Sequence, residues 1–125
     1  MQPPRLTSLE LPARAFVPGI TERPPEGWLE ERIADPIPAD LDRLLGCETF
    51  RYGFDLFHAG LYWEAHEAWE TLWQVARKRA GREREARAIQ VLIQIAASEL
   101  QLRMGRPDGA ASLARKAARQ EPLGD

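Results

Sequence analysis

A single cysteine, Cys47, rules out an internal disulfide and fits a reducing compartment. Long apolar runs are missing as well: nothing approaches the roughly eighteen residues that a membrane-spanning helix needs. The opening "MQPPRLTSLELPARAF" lacks the basic, apolar and small-residue order of a secretory signal. A soluble cytoplasmic protein with no membrane partner is therefore expected. An excess of positive charge is also lacking. The net charge is −2, which argues against a surface built for nucleic acid, because phosphate binding relies on a clear surplus of Lys and Arg. The one basic stretch, "RKRAGREREAR" at 77–87, reads as a solvated turn and helix start. No alternating strand pattern occurs, no glycine-rich phosphate loop, and no serine in a strand-to-helix elbow.

Proline is plentiful, but only at one end. Pro3, Pro4, Pro12, Pro18, Pro24, Pro25, Pro36 and Pro38 are eight of the ten in the chain. Proline fixes φ and withholds an amide donor, so residues 1–38 are expected to be an extended arm rather than a helix or a central strand. Leu9, Leu11, Phe16, Val17, Ile20, Trp28 and Leu29 give this arm apolar side chains that a solvated tail would not need. It should lie over a groove of its own domain or of a second copy, and the second case would make a homodimer.

Residues 39–121 carry helical spacing. Pro38, Ala39 and Asp40 suggest a start, followed by Leu41, Leu44 and Leu45. Phe50, Phe54 and Phe57 then fall at i, i+4 and i+7 on a helix from about 48 to 59, ended by Gly60. A second helix runs from about 61 to 78. A third, about 83 to 104, is apolar almost all round apart from Gln90, Gln94 and Gln101, and belongs in the middle of a bundle. A last short helix follows Gly105 and Pro107, with Asp108 as its N-cap. Short connections within each pair predict an all-α, four-helix arrangement of two antiparallel hairpins. "AGLYWEAHEAW" and "MGRPDGAASLA" echo one another across forty-five positions, and their glycine-turn character is similar to a tetratricopeptide hairpin, which would be a peptide-binding module.

The chemistry is concentrated in "FHAGLYWEAHEAWETLW", residues 57–73, which hold both histidines and three of the four tryptophans. Steps of 100° put Ala65, Ala68, Trp69, Leu72 and Ala76 on one face of the second helix, and Trp63, His66, Glu67, Glu70, Trp73 and Arg77 on another. The candidate cluster is Glu64, His66, Glu67, Glu70, Trp73 and, from the third helix, Gln94. A satisfied polar seam of this kind would fix the register of the two hairpins. An acid/base role for His66, oriented by Glu70, is the enzyme alternative. Metal binding is the other. "HEAWE" resembles a zinc helix whose second histidine is replaced by Glu, and His58 lies across a glycine turn. No ExxH of the di-metal bundle type occurs, and no metal or cofactor is assigned.

The run "LFHAGLYWEAHEAWETLW", with "LIQIAAS" and "GRPDGAASL" further on, resembles the bacterial and archaeal family called domain of unknown function 309. The matching positions are Phe57, Gly60, Tyr62, Glu64, Ala65, His66, Glu67, Glu70, Trp73, Gln94, Gly105 and Ala110, within about 48–119. The resemblance implies an all-α bundle and no particular activity. Relatives often carry histidine after the "IQ" segment, whereas this chain has Ser98 and Glu99, which removes candidate metal ligands. The leading expectation is a non-enzymatic structural or interaction domain.

Overall fold

The computed structural model describes residues 3–34 and 41–119, and all of its regular structure is helical. A short 3-10 helix, Leu44–Gly46, precedes α1 (Glu48–His58), α2 (Tyr62–Ala76), α3 (Glu83–Arg103) and α4 (Pro107–Ala118). The expected start at Pro38 to Asp40 lies outside the described residues. Among these helices none is long and apolar enough to cross a membrane.

Helix ends follow local chemistry. After α1, Gly60 takes φ 81°, and after α3, Gly105 takes φ 75°. Both belong to the same C-terminal device. Leu61 N–H reaches back to Leu56 C=O (2.9 Å) and Gly60 N–H to Phe57 C=O (3.0 Å), and Arg106 and Gly105 repeat this with Gln101 and Leu102 (2.9 and 3.1 Å). Otherwise orphaned carbonyls are satisfied by a left-handed glycine that a Cβ would strain. The echo seen in the sequence is therefore a repeated helix stop. The last helix begins one residue before the expected N-cap: Pro107 opens it, and Asp108 lies in its first turn. A proline at the first position loses nothing there, since its missing donor would be unpaired anyway.

Packing runs from each helix to the next: α1 on α2, α2 on α3, and α3 on α4. The α2 face of Ala65, Ala68, Trp69, Leu72 and Ala76 is buried throughout, as its spacing requires. Trp69 is the hub. Its Nε1–H donates to the Phe50 carbonyl at 3.0 Å, its ring meets Phe54 edge-on at 5.0 Å, and Phe57 lies at 6.2 Å. Opposite it stands Gly53, where no larger side chain fits. Ile89 and Ala96 of α3 join this core.

The third helix is less enclosed than its composition suggests, since Ile95 and Leu102 remain exposed (38% and 52%). On α3 the buried positions 89, 96 and 100 share one side, whereas 94, 98 and 101 share another. That second side serves α4: Ser98 Oγ donates to Ala110 C=O at 2.8 Å, and Gln101 packs where a Cβ on Gly109 would stand, 2.7 Å from its Oε1.

Candidate functional site

Residues 3–34 contain turns but neither helix nor strand, yet Leu29 and Ile33 are buried in the core and Leu9, Leu11 and Trp28 pack against it. Ile20, expected to pack, is instead exposed (63%). Two buried carboxylates hold this segment to the helices. Asp55 on α1 accepts the amides of Leu6 (2.7 Å) and Thr7 (2.9 Å) and the Thr7 hydroxyl (2.7 Å), with Arg5 Nε at 3.1 Å. Glu64 on α2 accepts the Phe16 amide at 3.1 Å through Oε2. Phe16 itself stands edge-on to Trp63, with centroids 4.9 Å apart. The Tyr52 hydroxyl donates to the Glu10 carbonyl, and burial pushes its pKa up to about 12.

The pKa values of these two acids are shifted in opposite directions. Burial alone would raise the Asp55 carboxyl, but the donors from Leu6, Thr7 and Arg5 overcome it and hold the group below the usual carboxylate range. For Glu64 burial dominates, and its own and the Phe16 amides only partly offset it, so its carboxyl is raised. One oxygen of Glu64, Oε1, is buried with no hydrogen-bond partner in the protein.

The face of α2 that carries His66 is partly open. His66 Nε2 lies 3.1 Å from Glu70 Oε2 and Nδ1 lies 3.6 Å from Glu67 Oε1, so the ring is bracketed by carboxylates of its own helix. One ligand atom each from His66, Glu67 and Glu70 can be chosen within 4.8 Å of one another. Burial raises the Glu67 carboxyl, the nearby imidazole opposes that, and Glu70 reinforces it.

Gln94 does not complete this cluster. Its Oε1 and His66 Nδ1 are both buried without a hydrogen-bond partner among the described residues, so no hydrogen-bonded seam joins them across α2 and α3. Position 94 shares its side of α3 with Ser98 and Gln101, which serve α4, and with Gln90, which lines a pocket together with Trp73 and Ala76 of α2. His58 is exposed beside Phe54 and Phe57 (6.5 and 6.1 Å). Trp73 carries the Arg77 guanidinium over its ring at 5.1 Å, and Arg77 Nε bonds Gln74 at 2.9 Å, so that arginine serves its own turn rather than the acidic cluster.

A cleft of about 240 Å³ opens between residues 23–30 and the first turns of α2. Glu64, Glu67 and Trp63 form its α2 wall, and Trp28 and Leu29 face them from the N-terminal segment. His66 is not among its lining residues. Sequence reasoning missed Asp55 and the cleft. A lone Asp amid the apolar positions of α1 was the available signal, since an acid on a buried helix face must be met by donors.

The fold and these polar ties define a small all-helical domain clasped by its own N-terminal segment. The chain belongs to the family described as Domain of unknown function (DUF309), whose family model matches residues 50–113. That span starts within α1 and ends within α4, and leaves residues 3–34 outside it. No curated protein and no solved structure matches the chain.

Proposed function

We propose that the protein is a non-enzymatic helical interaction domain. In this reading α1 with α2 and α3 with α4 form two antiparallel hairpins in a four-helix arrangement, and the proline-rich arm closes the first hairpin in cis. The observation that carries it is the use of the buried acids. Asp55 and Glu64 both accept backbone amides forty-eight or forty-nine residues away, at Leu6, Thr7 and Phe16, which is structural work. The surface offered to a partner is the side of α3 where Ile95 and Leu102, seven positions apart, face outward.

Removing residues 1–34 tests the cover. The truncated protein should expose apolar surface of α1 and α2 and self-associate, read by light scattering on a sizing column. A monodisperse truncated monomer as heat-stable as the full chain would show the segment to be a passive tail.

A second reading rests on the His66, Glu67 and Glu70 grouping, whose ligand atoms lie close enough for a divalent ion. Elemental analysis of protein purified without chelator addresses it. No stoichiometric zinc, iron or manganese is expected. One equivalent of metal, lost in His66→Ala, would replace the interaction reading with metal chemistry.

A further inference from the structure

The cleft against α2 has a chemistry that the clasp does not use. Glu64 is 1% exposed and lines the cleft; Phe16 donates to Oε2, and Oε1 is buried with no hydrogen-bond partner among the described residues. Buried polar atoms are nearly always paired, and an exception beside a cavity points to a group that arrives from outside. Glu26, Glu30 and Glu67 also line the cleft, against a single cation, Arg23. That balance repels anions and leaves three negative charges more than positive when all are ionised.

Its aromatic walls already accept guanidinium groups. Arg32 lies 3.7 Å from the centroid of Trp28, and Arg23 lies 5.9 Å from that of Trp63. Indole faces attract cations most strongly among the aromatic side chains. Leu29, Pro24 and Pro25 add apolar wall, suited to a short alkyl chain.

We propose that this cleft binds a small organic cation, a primary ammonium or guanidinium on a short alkyl chain, with the head group on Glu64 Oε1 and its stem between Trp28 and Trp63. The site is independent of the interaction reading, because it uses the cleft and not the outer side of α3.

The test is titration of the full chain with agmatine and with n-butylammonium, followed by calorimetry and by the indole N–H signals of Trp28 and Trp63. n-Butanol serves as the neutral control. Saturable binding of either cation is expected, with the control inert. Glu64→Gln keeps an acceptor for the Phe16 amide but turns away the charge, and should weaken binding about tenfold or more. Should that variant fold poorly, Glu67→Gln, at a side chain 37% exposed, should weaken binding several-fold without disturbing the fold. Arg23→Gln removes the resident competitor and should tighten binding. A blocked Gly-Arg-Gly peptide that binds better than agmatine would identify the cation as a partner's side chain; weaker binding would identify it as a free small molecule. Absence of saturable cation binding, equal response to n-butanol, undiminished affinity in both Glu variants, or weaker binding in Arg23→Gln would each overturn the assignment.

Discussion

Asp55→Ala should cost about 2–4 kcal/mol and release residues 5–7 from α1. The carboxylate accepts two amides and a hydroxyl and has Arg5 beside it, and hydrogen bonds to a charged acceptor contribute more than neutral ones. Part of the loss is recovered because the freed amides can meet water, which keeps the estimate below the sum of the separate bonds. Denaturant unfolding at neutral pH checks the magnitude. Its pH dependence checks the cause. The native carboxyl sits below its ordinary value, so its stabilisation is complete above the unfolded pKa of about 3.9 and is lost as pH falls through the depressed native value. The gap between the parent and Asp55→Asn should therefore be constant from neutrality down to about pH 5 and close below about pH 4. A gap that persists undiminished in strong acid would show that the ionised form is not what holds the segment.

Gly53→Ala is the second large effect, and the sense of the change is opposite to what helix propensity alone would give. In an exposed helix interior the substitution gains up to about 1 kcal/mol. Here the new methyl would enter the space of the Trp69 indole, clashing with Nε1, Cε2 and Cδ1 together. Trp69 is 1% exposed and its Nε1–H is committed to the Phe50 carbonyl, so the ring cannot step aside without leaving that bond. Overpacking and a buried hydrogen bond lost together should outweigh the propensity gain, for a net loss of about 2–4 kcal/mol. Thermal unfolding followed by near-ultraviolet circular dichroism reports both stability and the indole environment. A melting point at or above that of the parent would mean that α1 and α2 do not approach at this glycine.

Much of α1 and α2 could be read directly from spacing. Phe50, Phe54 and Phe57 marked one side of α1, the alanines with Trp69 and Leu72 marked the buried side of α2, and Gly60 and Gly105 marked the stops. Periodicity reports which residues share a side, but not which neighbour that side meets. For that reason spacing alone pairs Gln94 with His66, although neither Gln94 Oε1 nor His66 Nδ1 gains a hydrogen bond. The polar ties that hold the arm were not legible for a related cause. The partners of Asp55 and Glu64 are main-chain amides far away in sequence, and a backbone N–H has no residue signature. Proline spacing could say that the first segment is not helical, and nothing in it pointed to Asp55.

The helices touch in order, each on the next, and this shapes how the molecule comes apart. A closed bundle melts as a block because every rod shares one interior. A row held mainly by adjacent seams behaves more like a zipper: α4, joined chiefly through α3, can fray while the clasped end stays shut, and the two ends need not share one melting temperature.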